Sequence, residues 1–290
     1  MNIKIVYYSG TGGTARVAKC FKAAFEDAGQ QVNMQQLSKN AKIEECKCEL
    51  LILLYPVYAF SAPKAVYQWI DGIEAVNNIS AVIVSVSGGG EIVPNTACRV
   101  GSIKRLEKKG YKVIYEQMLV LPSNFVAATP IQVAKMLLDV LPKRVDEIVL
   151  DICNGVKRRT KPFLIDRIFS FVGKIENFGA RYFGKRIKIK EGCNGCGWCS
   201  MNCPAGNIII EGSSPKFGGD CHLCLKCIYG CPKKALIPGT AAFIVIKDGY
   251  NLKQLEEMPF LSEEIDLEKL VPGYLWSGVR KYLLRNDVDR

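Results

Sequence analysis

The chain has 290 residues, of which 49% are hydrophobic and 23% are charged, and its formal net charge is +11. This length is ordinary for two domains, and the apolar content is ample for a buried core. A run of about 18 consecutive apolar residues is absent, which excludes a membrane-spanning helix. No signal peptide precedes the first strand pattern, so we expect a cytoplasmic protein.

The positive charge is concentrated in one segment. Between Lys157 and Lys190 there are eleven Lys and Arg residues against only Asp166 and Glu176, and the rest of the chain is nearly balanced. A basic excess confined to one segment is weak support for nucleic-acid binding. We therefore predict no nucleic-acid partner.

Residues 1–155 alternate apolar strand patterns with helical patterns. Strands are predicted at 3–8, 32–37, 49–55, 79–87 and 111–121, and helices after Thr14, at 62–70 and at 96–109. Apolar strands that alternate with helices indicate a parallel sheet covered on both faces. The prediction is an α/β domain with a doubly wound, five-stranded parallel sheet.

The loop after the first predicted strand is rich in glycine and hydroxyl groups. It consists of Ser9, Gly10, Thr11, Gly12, Gly13 and Thr14. Its glycines allow a tight bend whose N–H groups can point at an anion. No lysine is placed to reach the terminal phosphates of a nucleotide, so the loop suits a phosphate monoester. A plain glycine-rich turn is the alternative.

Two further loops follow the carboxyl ends of strands, where open parallel sheets bind ligands. Tyr58 and Phe60 could stack on a flat ring, with core packing as the alternative. Successive glycines let the backbone approach a ligand closely. The candidate residues are Pro56, Val57, Tyr58, Ala59 and Phe60 in one loop and Ser87, Gly88, Gly89 and Gly90 in the other.

The remaining chain divides into three parts. Residues from about 130 to 187 are predicted to be mostly helical, with breaks at Pro142 and Pro162, and 156–187 are predicted to be a basic helical connector. Residues 188–240 form a small cysteine-dense α+β module, and 241–290 are a C-terminal extension. Within the extension, 242–246 resembles a strand and 274–285 a helix.

Eight of the thirteen cysteines form two runs of C-x2-C-x2-C-x3-C-P that start 28 residues apart. This is the spacing of proteins with two [4Fe–4S] clusters, in which the fourth cysteine of each run ligates the other cluster. The first cluster is therefore assigned to Cys193, Cys196, Cys199 and Cys231. The second is assigned to Cys221, Cys224, Cys227 and Cys203.

Two zinc sites are the alternative, since zinc also binds four cysteines. The third cysteine at the same short spacing and the duplicated Cys-Pro favour clusters. His222, the only histidine, lies inside the second run. It could replace a thiolate, but a complete set of four cysteines favours an ordinary loop residue. No catalytic residue is predicted, because no group of His, Asp and Glu marks a substrate pocket.

Residues 1–155 resemble flavodoxin, with Gly13 where its phosphate loop often has Asn, and residues 188–240 resemble bacterial ferredoxins with two [4Fe–4S] clusters. The whole chain is similar to the flavodoxin–ferredoxin fusion proteins of anaerobes. The resemblance implies FMN held by the three loops. It implies electron transfer between FMN and the two clusters, as a carrier or redox module for a partner oxidoreductase.

Two questions stay open at this point. The alternative function is a flavin-dependent reductase of a small molecule, fed by its own clusters. The basic segment has three interpretations: a helix packed on both modules, a docking surface for an acidic redox protein, or an interfacial helix on an anionic membrane. The first is favoured, with an acidic redox protein as the expected partner.

Overall fold

The N-terminal part of the chain is built on a parallel sheet, in a computed structural model that describes residues 1–39, 41, 47–164, 166, 179–259 and 265–285. Its strands are β1 (Asn2–Tyr7), β2 (Gln31–Gln36), β3 (Leu50–Pro56), β4 (Ile79–Ser87) and β5 (Tyr111–Val120). They lie in the order β2-β1-β3-β4-β5, and every neighbouring pair is parallel. This is the flavodoxin-like order, with its switch point between β1 and β3. The predicted parallel α/β fold is confirmed.

Helices cover both faces of this sheet. They are α1 (Gly13–Asp27), α2 (Lys64–Gly72), α3 (Val100–Lys108), α4 (Ile131–Asp139) and α5 (Leu141–Cys153). The apolar run of β3 supplies both cores, because side chains alternate across a strand. Ile52 packs in the core with α1, α4 and α5, whereas Leu53 packs in the core with α2 and α3.

The start of the connector is not helical, which corrects the prediction for that stretch. Arg158 forms a parallel bridge to Tyr115 beside β5. Its N–H donates to the carbonyl of Ile114 at 3.1 Å, and its carbonyl accepts from Glu116 at 2.9 Å. The connector thus satisfies backbone groups that an edge strand would leave unpaired. Residues 179–185 are helical, and residues 165 and 167–178 of the predicted connector lie outside the described part of the chain.

The cysteine-rich part folds as one strand–helix–strand unit used twice. The first unit is β6 (Lys188–Ile189), α6 (Trp198–Met201) and β7 (Ile208–Glu211), and the second is β8 (Ser214–Phe217), α7 (Lys226–Tyr229) and β9 (Leu236–Ile237). β6 pairs with β9 and β7 with β8, both antiparallel. α7 begins 28 residues after α6, which is the offset between the two cysteine runs, so the sequence repeat is also a structural repeat.

The C-terminal extension returns to the parallel sheet. It contains 3-10 turns at Ala242–Ile244 and Tyr274–Trp276 and helices α8 (Leu252–Glu256), α9 (Leu267–Leu270) and α10 (Ser277–Leu284). The helix expected at 274–285 is confirmed, but the strand expected at 242–246 is wrong. That stretch turns at Ala241, in a left-handed conformation, and the Ile244 carbonyl accepts a hydrogen bond from Val126.

The extension is part of the sheet's own core. Val271, Val279 and Tyr282 are buried against residues of α1, α4 and α5. The buried Arg144 of α5 donates to the carbonyls of Tyr282 at 3.2 Å and Arg285 at 2.7 Å. None of the described helices is both long enough and apolar enough to cross a membrane.

Candidate functional site

A cavity of about 440 Å³ opens at the carboxyl edge of the sheet. This volume lies within the usual range for pockets that bind cofactors and other small molecules, about 300–1,000 Å³. The three loops singled out in the sequence meet here, and only Gly12 and Gly90 among their candidate residues do not line the wall. The predicted residues in the lining are Ser9, Gly10, Thr11, Gly13, Thr14, Pro56, Val57, Tyr58, Ala59, Phe60, Ser87, Gly88 and Gly89.

The glycine- and hydroxyl-rich loop leads directly into α1, and the N-terminus of this helix faces the cavity. Gly12 precedes the helix in the left-handed region, with φ +102°, and as a glycine it has no side chain to cap the helix. Ser9 Oγ accepts from the N–H of Ala15 in the first turn at 3.2 Å, which holds the loop against the helix. The first N–H groups of a helix have no acceptor within the helix, and they favour negative charge. This cradle therefore fits the phosphate of FMN.

A fourth loop completes the wall, and the sequence reading missed it. Residues 121–125 follow the carboxyl end of β5 and line the cavity. Asn124 donates to Thr11 Oγ1 at 2.9 Å, which leaves the threonine O–H proton free to point at a ligand. The rule that found the loops after β3 and β4 also applies to β5 and would have found this one. Asn95 lines the wall too.

Two other lining residues come from far along the chain. Leu223 belongs to the cysteine-rich module, and Tyr250 to the C-terminal extension. Tyr250 is held by a hydrogen bond from its hydroxyl to the carbonyl of Pro122 at 3.0 Å. No local pattern in the sequence marks either residue, because each reaches the cavity only through tertiary packing.

The aromatic loop after β3 is a tight, self-bonded turn. Tyr58 and Ser61 exchange two backbone hydrogen bonds of 2.9 Å, and Ala59 and Phe60 between them have positive φ angles of 36° and 61°. The Tyr58 ring meets the Tyr8 ring edge-on, with 6.3 Å between centroids. The turn presents its apolar side chains to the cavity, as a flat ring requires.

A buried ion network anchors the loop after β4. Arg99 is only 1% exposed, and its Nε donates to Glu116 Oε2 at 2.8 Å. Its Nη2 pairs with Glu91, at the end of the glycine loop, and also donates to Thr160 of the connector. The network thus ties the cavity wall, β5 and the connector together.

The four cysteines that the sequence assigns to each cluster are neighbours in the structure. We call Cys193, Cys196, Cys199 and Cys231 the outer thiol set, because all four line one hollow and Cys196 is exposed. Trp198 and Ile210 line the same hollow. Burial raises the pKa of Cys199, and Cys231 and Cys193 raise it further, so these three thiols lie within electrostatic reach.

We call Cys221, Cys224, Cys227 and Cys203 the inner thiol set. Burial raises the pKa of Cys224 to about 12, with Cys221 and Cys203 adding to the effect. Burial also raises the pKa of Cys227, whose further contributors are the other three inner thiols and then Cys199 of the outer set. The two sets are therefore neighbours, and thiolates at the inner set need positive charge to offset their burial.

Backbone N–H groups are already aimed at several sulfurs. Asn207 donates to Cys203 Sγ at 3.3 Å and Ala235 to Cys231 Sγ at 3.4 Å, at equivalent places in the repeat. Such bonds stabilise thiolate ligands of iron–sulfur clusters. In the described parts of the chain, no group of three or more His, Cys, Asp or Glu has the geometry of a site for one metal ion. The chemistry of each four-thiol set fits a [4Fe–4S] cluster.

The inner thiol set lies against the wall of the cavity. A Cβ added to Gly10 would fall 2.5 Å from the Tyr58 hydroxyl and 2.7 Å from Cys224 Cβ, so the loop touches the cysteine directly. His222, between two inner cysteines, bonds through Nδ1 to the Tyr8 hydroxyl at 2.9 Å. The imidazole thus joins the two modules at this contact.

Other hydrogen bonds hold the same two modules together. The backbone N–H of Lys39 donates to the carbonyl of Pro204 at 3.0 Å. The Tyr229 hydroxyl donates to the carbonyl of Asn124, in the fourth loop of the cavity, at 2.9 Å. The cavity and the inner thiol set are thus fixed to each other at several points.

No protein-family model matches this sequence, and no curated protein matches it. Among solved structures, similar ones include a flavodoxin from the domain Archaea, at 14% identity, covering 55% of this chain and 100% of the flavodoxin with a TM-score of 0.39. A flavodoxin of Streptococcus pneumonia TIGR4 has 13% identity, 54% and 100% coverage and a TM-score of 0.41. Flavodoxin 2 of Bacillus cereus has 13% identity, 53% and 99% coverage and a TM-score of 0.40. Because these scores are low, we assign the flavodoxin-like fold from the strand order of the sheet.

Proposed function

We propose that this chain transfers electrons between an FMN in the cavity and two [4Fe–4S] clusters on the inner and outer thiol sets, as a redox module for a partner oxidoreductase. When bound, FMN exchanges two electrons and each cluster exchanges one, so the chain would convert between the two stoichiometries. The observation that carries this proposal is the contact of the inner thiol set with the cavity wall, through Gly10 and Cys224.

The chain's own residues have separate tasks in this proposal. The first N–H groups of α1 and the hydroxyls of Thr11 and Thr14 would bind the phosphate. The turn at Tyr58 and Phe60 and the wall from Leu121 to Phe125 enclose the ring and exclude water. Leu223 lies in the wall and is followed in the chain by Cys224, so the inner set adjoins the cavity.

The choice of iron over zinc rests on the duplicated C-x2-C-x2-C-x3-C-P runs and their crossed grouping. The anaerobically purified protein should contain about eight irons, eight inorganic sulfides and one FMN per chain. Zinc in place of iron, or a protein without flavin, would contradict the proposal.

Transfer inside one molecule is tested by dilution. Dithionite-reduced protein is mixed with limiting oxidant in a stopped-flow instrument, and the flavin and cluster bands are followed at several protein concentrations. We expect a redistribution rate that does not depend on protein concentration. A rate proportional to concentration would mean two independent carriers on one chain. Turnover of a small molecule without a protein partner would instead support the reductase.

A further inference from the structure

The two thiol sets differ in what surrounds them. The inner set touches the cavity through Cys224, and its four cysteines are only partly exposed, whereas the outer set reaches the surface at Cys196. Cys227 of the inner set and Cys199 of the outer set pack in the same hydrophobic cluster. An electron path from the cavity would therefore run through the inner set and leave the molecule at the outer one.

Lysines form a rim beside the outer set. Lys188 lies in β6, and Lys190 is the first residue after that strand. The N–H of Lys190 donates to the carbonyl of Ala235 at 2.8 Å, which places β6 next to the turn that carries Lys233 and Lys234. Lys233 itself lines the hollow of the outer set.

The positive charges of the four rim lysines are not neutralised by ion pairs within the described part of the chain. All four lysines are exposed, and none of them forms an ion pair with a residue that the structure describes. Glu191 directly follows Lys190, and the acidic residues nearest in sequence to Lys233 and Lys234 are Asp220 and Asp248. Glu211, on β7, is already paired with Lys216 at 2.6 Å. The face is therefore cationic, and its lysines are available to a partner.

An exposed apolar residue adjoins the same hollow. Met201 is 76% exposed, and its methyl group lies 4.0 Å from the position that a Cβ of Gly197 would take, next to Cys196. Methionine is enriched at protein interfaces, and a flexible side chain adapts to varied surfaces. An apolar contact beside a charged rim is the usual arrangement of a docking site.

We propose that the face formed by Cys196, Met201, Lys188, Lys190, Lys233 and Lys234 docks an acidic redox protein that exchanges single electrons with the outer cluster. This rests on the proposed function and adds the surface and the charge of its partner. One electron crosses the face in either direction. The partner gains what the outer set loses, and no bond forms and no proton moves. The lysines steer encounter, and the apolar contact gives close approach.

The test uses two inorganic oxidants of opposite charge. The reduced holoprotein, freed of reductant, is mixed with hexacyanoferrate(III) or hexaammineruthenium(III) over a range of ionic strengths. With the anion we expect a second-order rate constant that falls as salt rises, and with the cation the opposite slope. Replacing Lys188, Lys190, Lys233 and Lys234 by Gln should lower the anion's rate constant about 10-fold or more at low salt.

A matched variant controls for net charge. Lys19, Lys104, Lys108 and Lys112 are also exposed, lie on α1, α3 and the start of β5, and are replaced by Gln together. This variant should keep the wild-type rate within about twofold, because screening weakens charges beyond about a Debye length. Equal slowing of the two variants, or no slowing of either, would overturn the docking face.

Poly-L-glutamate distinguishes an acidic polypeptide from a small anion. It should compete with hexacyanoferrate(III) in the wild type and the control variant but not in the rim variant. Failure to compete in the wild type would contradict a protein-docking surface. Iron, sulfide and FMN are measured in every sample. Wild-type protein that lacks iron, sulfide and FMN would disprove the proposed function. Rim variants that are fully loaded with these cofactors but react at the wild-type rate would disprove only the docking face.

Discussion

Gly10 of the cavity loop and Cys224 of the inner thiol set are in direct contact, because a methyl group on Gly10 would lie 2.7 Å from Cys224 Cβ. Cβ atoms do not approach so closely, so only glycine permits this packing. The two residues belong to different modules, and their contact fixes the distance between the cavity and the inner set.

Gly10→Ala should therefore separate the modules. The new methyl group would also overlap the Tyr58 hydroxyl, and overpacking of this kind costs about 1–3 kcal/mol. We expect a lower free energy of unfolding in urea and slower internal electron transfer. Gly179→Ala is the control, since nothing lies within 4 Å of its added Cβ. Unchanged stability and rate in Gly10→Ala would contradict the contact.

In the proposed crossed ligation, Cys203 and Cys231 occupy equivalent places in the repeat but bind different clusters, so their replacement should have different effects. Cys203→Ser should remove the inner cluster and Cys231→Ser the outer one, each lowering iron from about eight to about four per chain. Only Cys203→Ser should abolish the concentration-independent exchange with the flavin. The exposed Cys153→Ser is the control. Loss of flavin exchange in Cys231→Ser with retention in Cys203→Ser would reverse the assignment.

The hydroxyls of Thr11 and Thr14 should bind the phosphate of FMN. Thr→Val keeps the β-branched shape and removes the donor, and each lost hydrogen bond to a charged group should cost about 1.5–3 kcal/mol. Affinity for FMN, measured by flavin fluorescence quenching, should therefore fall. Riboflavin, which lacks the phosphate, should bind all variants equally. An equal loss for both ligands would place the effect on the ring instead.

The buried charge of Arg99 offers a stability prediction. Arg99→Met would remove the buried cation from Glu116, which is only 3% exposed and would keep only the half-exposed Arg159 at 3.3 Å. Removing one partner of a buried pair in this way costs about 3–5 kcal/mol. Arg105→Met, on α3, removes an exposed pair with Asp71 and a guanidinium contact with the Tyr67 ring, and should cost no more than about 2 kcal/mol. Urea unfolding measures both. Similar losses in the two variants would contradict the burial argument.

The parts of the site that could be predicted from the sequence are those built from local patterns. The loop at Ser9, the triple glycine after β4 and the spacing of Cys193 to Cys199 each follow from short-range chemistry. β4 was predicted at the observed bounds, because an uninterrupted apolar run is a clear strand signal. The crossed ligation of the thiols follows from the duplicated Cys-Pro spacing and stays a prediction.

The remaining features depend on tertiary packing. Tyr250 and Leu223 reach the cavity from distant parts of the chain, and neither has a local signal. The stretch 242–246 has the apolar pattern of a strand. It turns instead, and the Ile244 carbonyl accepts a hydrogen bond from the N–H of Val126. The connector near Arg158 reads as part of a helix, but the open edge of β5 draws it into pairing. In each case a partner elsewhere in the fold overrode the local preference.

The return of the C-terminal extension to the sheet has a consequence for biosynthesis. Val271, Val279 and Tyr282 complete the core beside α5, although the cysteine-rich module precedes them in the chain. On the ribosome, the core of the parallel-sheet body therefore cannot be completed until all eight repeat cysteines have been translated. The module must be made before the body is complete, and a chain stalled within the module would leave the nascent body with an open hydrophobic flank.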